Sequence, residues 1–122
     1  MARILVVDDD DTIRELLTRV LERDGYEVEC AGDGDEALKK YFETSVDLVI
    51  TDLIMPGKEG LETISDFKRS NPKVKVVAIS GGGLINPHLY LDLSKRLGAD
   101  MTFVKPFDIF ELRQGVKKLL EQ

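Results

Sequence analysis

The sequence has few of the residues and segments that mark secreted or membrane proteins. It contains one cysteine, Cys30, so no internal disulfide can form, which favours a reducing compartment. No apolar stretch approaches the roughly 20 residues of a membrane span, and the one that follows Met1 is too short for a secretion signal. We therefore expect a cytoplasmic protein that does not contact a membrane.

Basic residues are also scarce relative to acidic ones. The formal net charge is −6 at pH 7, which argues against a surface that binds nucleic acid directly. The sequence has no internal repeat, low-complexity segment or linker. Its 122 residues, of which 43% are hydrophobic, therefore predict one globular domain covering residues 1–122. The lone histidine, His88, is predicted to face solvent or a partner.

What the sequence does contain is a regular alternation of strand and helix patterns. Short apolar segments predict strands at 3–7, 26–31, 46–52, 74–80 and 101–104. Each is followed by apolar residues at helical spacing, and Leu89, Leu93 and Leu97 belong to the fourth such helix. Three pairs have the spacing of a helix capping box: Thr12 with Glu15, Asp33 with Glu36, and Asp108 with Glu111. The alternation predicts an α/β fold, a doubly wound parallel sheet with helices on both faces.

The residues with reactive or charged side chains follow the predicted strands directly. They are Asp8, Asp9, Asp52, Ser80 and Lys105. Because the carboxyl ends of parallel strands share one edge of a sheet, we expect these side chains to converge there, where open α/β sheets bind their ligands. Taken singly, such residues are usually helix caps, turn residues or surface charges, and Asp10 and Asp11 are interpreted as caps.

Three neighbouring carboxylates repel one another, and a hard divalent cation relieves that repulsion. Mg²⁺ fits, because it is held by one or two carboxylates together with water and phosphate oxygens. No cysteine or histidine lies near the cluster, which argues against zinc. Asp52 could then accept a phosphoryl group as a nucleophile that needs no general base, with Lys105 supplying positive charge and Ser80 a hydrogen bond.

Five motifs in this order resemble the receiver domain of bacterial two-component response regulators, over nearly the whole chain. They occupy residues 4–9, 47–57, 76–80, 98–100 and 105–107. The resemblance implies a flavodoxin-like (βα)5 fold with strand order 2-1-3-4-5. It also implies that the partners are a histidine kinase or phosphotransfer protein and a downstream protein target.

The same resemblance implies roles for individual residues. Asp52 would receive the phosphoryl group from a histidine of the partner, in a reaction that needs Mg²⁺. Asp9, Asp52 and the backbone carbonyl of Ile54 would bind the ion directly, and Asp8 through water. Ser80 and Lys105 would contact the phosphate, and the peptide bond between Lys105 and Pro106 would be cis. The domain would catalyse only its own phosphorylation and slow dephosphorylation.

Two positions depart from the family pattern. Thr102 stands three residues before Lys105, where the family usually has an aromatic residue, and strand alternation places Phe103 on the opposite face. The glycine-rich loop at 81–85 also looks longer than the common form. We expect the signal to leave through the segment 80–86 and the surface formed by the fourth helix, fifth strand and fifth helix.

Three other functions remain open. A phosphohydrolase of the haloacid-dehalogenase type would use Asp8 and Asp10, but it usually has a longer chain. A flavodoxin-type FMN carrier would not place four aspartates after the first strand, where they repel phosphate. A phosphate-independent adaptor usually lacks one of the acidic residues. The sequence fits either a stand-alone receiver or a piece of a longer regulator.

Overall fold

The computed structural model describes residues 2–53, 60–81 and 87–122. Strands and helices alternate along these residues as the sequence predicts. The strands are β1 (Arg3–Val7), β2 (Glu27–Ala31), β3 (Leu48–Asp52), β4 (Lys75–Ser80) and β5 (Met101–Val104). The helices are α1 (Asp11–Arg23), α2 (Gly34–Glu43), α3 (Gly60–Ser70), α4 (Pro87–Arg96) and α5 (Ile109–Leu120).

The five strands form one parallel sheet in the order β2-β1-β3-β4-β5, which confirms the predicted topology. The strand order reverses between β1 and β3, and in open α/β sheets the carboxyl ends of the strands at such a reversal are where ligands bind. Val7 of β1 pairs with Thr51 of β3, so the next residue of each chain segment, Asp8 and Asp52, lies beside the other. The topology therefore places the two carboxylates together.

Two apolar layers cover the two faces of the sheet. Alternate residues of β1 belong to different layers: Leu5 belongs to the layer that includes residues of α2, α3 and α4, whereas Val6 belongs to the layer that includes residues of α1 and α5. Strands β1 and β3 are therefore buried on both faces, which explains why their sequences are continuously apolar rather than alternating. No helix of the described residues is long and apolar enough to cross a membrane.

At two of the three predicted capping boxes, the aspartate caps its helix. The side chains of Asp33 and Asp108 accept backbone hydrogen bonds at the starts of α2 and α5. The capping box predicted for Thr12 and Glu15 is wrong, because Asp10 caps α1 by accepting hydrogen bonds from the amides of Thr12 and Ile13. An aspartate two residues before Thr12 satisfies the free amides of the first turn.

Two leucines of α4 and one just after it face outward. Leu89 and Leu93 are exposed, as is Leu97 just beyond the helix end at Arg96, and the helix packs on the sheet through Leu91 and Ser94. The Ser94 hydroxyl is satisfied inside the helix, since it donates to the Leu91 carbonyl oxygen at 2.7 Å.

Candidate functional site

The carboxyl edge of the sheet brings together the side chains predicted from the strand ends. Carboxylate oxygens of Asp8, Asp9 and Asp52 all lie within 4.8 Å of one another. Asp8 is 2% exposed and Asp52 is 7% exposed, whereas Asp9 lies open to solvent. The cluster thus consists of two buried carboxylates and one that solvent can reach. This arrangement suits a divalent cation that keeps part of its water shell.

Lys105 joins the two buried carboxylates. Its Nζ donates to Asp8 Oδ2 at 3.0 Å and to Asp52 Oδ2 at 2.9 Å. Its backbone is held as well, because the Lys105 amide donates to the Ser80 carbonyl oxygen at 2.7 Å, just beyond the last paired residues of β4 and β5. The peptide bond between Lys105 and Pro106 is cis, as the family resemblance implies. The ammonium offsets part of the negative charge of the cluster.

Burial and charge shift the pKa values of this group. Burial raises the pKa of the Asp8 carboxyl, and the nearby charge of Asp52 adds to that effect. Hydrogen bonds from the Asp10 amide and from Lys105 oppose the rise without cancelling it. Burial alone would lower the pKa of the Lys105 ammonium, but its hydrogen bonds to Asp52 and Asp8 and their charges raise it overall. Lys105 is therefore protonated at neutral pH, and the site has excess negative charge that a cation would neutralise.

Ser80 presents a buried hydroxyl that has no hydrogen-bond partner among the residues that the structure describes. Its side chain is fully buried, and Oγ forms no hydrogen bond with any of the residues that the structure describes. A buried hydroxyl without a partner costs about 1–3 kcal/mol, and such groups often have a functional reason. Ser80 ends β4 on the same sheet edge as Asp52, so an oxygen of a bound group at this edge could satisfy it.

Gly81 has a packing role that the sequence did not reveal. Its φ is +155°, and a Cβ added there would lie 2.8 Å from the Lys105 Cβ. A side chain at this position would therefore collide with Lys105 unless one of the two segments shifts. The sequence shows only a glycine-rich loop at this point, which is equally compatible with simple flexibility.

The remaining predictions for the site have mixed outcomes. Asp10 is the cap of α1, as expected, so it is not available as a second catalytic aspartate. The backbone carbonyl of Ile54, predicted as a metal ligand, lies outside the described residues, as does most of the loop at 81–85. Phe103 packs with the layer formed by α1 and α5, which confirms that it points away from the face of α4. Thr102, the residue before Phe103, stands at the position where the family usually has an aromatic residue.

The fold and this edge define a class of protein: a doubly wound α/β domain with a cluster of carboxylates at the carboxyl end of its sheet that could hold a divalent cation. The chain belongs to the response regulator receiver domain family, whose sequence model matches residues 4–117. It is accordingly a phosphoacceptor switch of two-component signalling rather than an enzyme in the usual sense. The comparisons do not favour the phosphohydrolase or the adaptor.

Relatives of two kinds match nearly the whole chain. Sporulation initiation phosphotransferase F of Bacillus subtilis is 37% identical over 118 residues, which cover 97% of this chain and 93% of that protein. The transcriptional regulatory protein CpxR homolog of Haemophilus influenzae is 37% identical over 123 residues, covering 100% of this chain. The chain spans only 52% of the length of that regulator.

Among solved structures, the response regulator TrrA of Thermotoga maritima is similar throughout. It is 44% identical, with a TM-score of 0.85, and the match covers 98% of this chain and 99% of that one. The TrrA structure was determined in complex with Mg²⁺ and BeF. Together with the three converging carboxylates, this similarity indicates that the acidic cluster fits a divalent metal ion.

Proposed function

We propose that Asp52 is the phosphoacceptor of this receiver domain. The observation that carries the proposal is the convergence of Asp8, Asp9, Asp52 and Lys105 at one edge of the sheet. An oxygen of the Asp52 carboxylate attacks the phosphorus atom of a phosphohistidine. The new O–P bond forms as the N–P bond breaks, and the electron pair of that bond returns to the imidazole of the donor. No general base is needed, because a carboxylate has no proton to lose.

The cation proposed for the cluster is Mg²⁺, held directly by Asp9 and Asp52 with the Ile54 carbonyl, and through water by Asp8. When bound, it supplies positive charge that neutralises the oxygens of the phosphoryl group. Lys105 contributes a second positive charge next to Asp52, since its Nζ lies 2.9 Å from Asp52 Oδ2. Ser80 donates its hydroxyl hydrogen to a phosphoryl oxygen, which would satisfy a group that has no partner among the described residues. The same set would support slow hydrolysis of the aspartyl phosphate.

The proposed donor is a histidine kinase or phosphotransfer protein, and a groove beside the site suits its docking. The groove has a volume of about 360 Å³, and Leu16 on its wall is 42% exposed. It is lined by Ile13, Leu16, Lys105, Pro106, Phe107 and Ile109. Lys105 belongs to both the groove and the acidic cluster, so an apolar helix seated in the groove would place its histidine near Asp52.

The downstream target is proposed to bind the surface of α4, β5 and α5. Two exposed leucines of α4, Leu89 and Leu93, and Leu97 in the turn just after the helix support this assignment, since they offer apolar surface to a partner. We further propose that residues 1–122 act as a single receiver domain in the cytoplasm, without direct contact to nucleic acid.

The test of the acceptor is incubation with a small-molecule phosphodonor, with and without Mg²⁺, followed by intact mass and peptide mapping. We expect one phosphoryl group per chain, on the peptide that contains Asp52, only when Mg²⁺ is present. Asp52→Asn should abolish uptake, because an amide is a far weaker nucleophile. Asp35→Asn, the same change at an exposed position of α2, should leave uptake unchanged. Equal uptake by the Asp52 variant would refute the assignment.

A further inference from the structure

Arg14 of α1 holds the segment that connects β1 to α1. One nitrogen of its guanidinium, Nη1, donates to the Asp8 carbonyl oxygen at 2.6 Å. The other, Nη2, pairs with the Asp11 carboxylate. A single planar side chain thus ties together the start and the end of the connecting segment.

The backbone of this segment is otherwise held on both sides of Asp9. The Asp8 amide donates to the Ala31 carbonyl oxygen at 3.1 Å, and the Asp10 amide donates to Asp8 Oδ1 at 2.9 Å. The Asp9 carboxylate itself is exposed and forms no hydrogen bond within the part of the chain that the structure describes. The direction of the Asp9 side chain therefore depends on the orientation of the two peptide groups that flank Asp9. Arg14 binds the carbonyl oxygen of the first of these, the peptide group between Asp8 and Asp9.

The guanidinium sits in a narrow space. A Cβ added at Gly32, in the turn between β2 and α2, would lie only 3.3 Å from Arg14 Nη1. The Arg14 side chain is 24% exposed, well below an ordinary surface arginine. Its position is thus set by packing as well as by hydrogen bonds, and sequence reasoning missed it because nothing in the motif distinguishes Arg14 from a solvated helix residue.

We propose that Arg14 is a positioning residue for the cation site, which it serves by fixing the peptide group between Asp8 and Asp9 so that the Asp9 carboxylate points toward Asp52. This role rests on the proposed function, since it presupposes that Asp9 and Asp52 bind the ion. The positioning role of Arg14 and its positive charge have opposite effects on cation binding. A positive side chain near the cluster repels a cation, so charge alone predicts that removing Arg14 tightens cation binding, whereas loss of positioning weakens it.

The experiment measures Mn²⁺ binding by electron paramagnetic resonance, on the intact chain without a phosphodonor. We expect Arg14→Met to weaken Mn²⁺ binding about tenfold, as is common when a group that orients a metal ligand is lost. Arg14→Lys keeps the charge but lacks the planar fork whose two nitrogens contact Asp8 and Asp11 separately, so it should weaken binding by a smaller factor. Arg19→Met removes the same charge from an exposed position of the same helix and should not weaken binding.

The outcomes separate the possible readings. Unchanged or tighter binding by Arg14→Met, with the Arg19 variant unaffected, would mean that Arg14 acts only through its charge, and the proposal would be wrong. If the Asp9→Asn and Asp52→Asn variants bind Mn²⁺ as tightly as the unsubstituted protein, the cation site is overturned, and the proposed function with it. If Arg14→Met melts before binding can be measured, Arg14→Lys decides: binding as tight as in the unsubstituted protein refutes the positioning role.

Discussion

Removing the Lys105 ammonium should destabilise the protein through the two carboxylates that it leaves behind. In Lys105→Met, Asp8 and Asp52 stay buried while the cation that contacts both at 3.0 and 2.9 Å is gone. Breaking a fully buried ion pair by removing one partner costs about 3–5 kcal/mol. The Lys105 side chain is 21% exposed, so solvent screens the site, and we expect a loss of about 2 kcal/mol without divalent cations. That corresponds to a Tm lower by roughly 8 °C for a domain of this size.

The loss of stability in Lys105→Met should be smaller at acidic pH than at neutral pH. The pKa of Asp8 is already raised by burial and by Asp52, and removing Lys105 takes away a hydrogen bond and a charge that oppose the rise. A carboxyl group whose pKa is higher in the folded state than in the unfolded state stabilises the protein at low pH. That contribution is lost as pH rises through the folded-state pKa. The gap in stability between the variant and the unsubstituted protein should therefore widen from acidic to neutral pH.

Divalent cations should reduce the difference in stability between Lys105→Met and the unsubstituted protein. Mg²⁺ would neutralise the carboxylates in place of the ammonium, and its binding would no longer be opposed by the Lys105 charge, so it should stabilise the variant more than the unsubstituted protein. The assay is urea unfolding followed by circular dichroism, in chelator and in saturating Mg²⁺, because the chain has no tryptophan. Lys118→Met, at an exposed position of α5, is the charge-matched control. A variant that is fully stable in chelator at neutral pH would contradict this reasoning.

Two further predictions follow from the Ser80 side of the site. Ser80→Ala should raise the free energy of unfolding by about 1 kcal/mol, because it removes a buried hydroxyl without a partner among the described residues, yet it should slow phosphoryl uptake; urea unfolding and the phosphodonor assay measure the two effects. A phosphate mimic bound at Asp52 should change amide hydrogen exchange in α4 and β5. Changes confined to α2 and α3 would contradict the proposed output surface.

Much of the fold could be predicted from the pattern of apolar residues. Continuous apolar segments predict strands buried on both faces, and β1 and β3 are buried in this way. The strand order itself came from the family resemblance, because periodicity does not say which strands are neighbours. Helix starts were less predictable, since four consecutive aspartates and Thr12 are all candidates to cap α1, and only the folded chain shows that Asp10 does so.

The position of a residue after a strand was enough to identify Asp8, Asp9, Asp52, Ser80 and Lys105 as candidates, because parallel strands end at a common edge. Their distances could not be predicted, since they depend on register and on which side chains fill the space around them. The close fit of Gly81 against Lys105 is an example, because it follows from the packing of two segments more than 20 residues apart in sequence.

The sequence by itself determined which side chains reach the carboxyl edge of the sheet, because strand length and the alternation of strand and helix are local properties of the chain. Only the tertiary structure decided what each of them does there. Asp8 and Asp10 are both aspartates and lie two positions apart in sequence. Asp8 is buried beside Asp52 and Lys105, whereas Asp10 caps α1. Arg14 differs from Arg19 for the same reason: the folded chain brings the Asp8 carbonyl and Gly32 to one and solvent to the other.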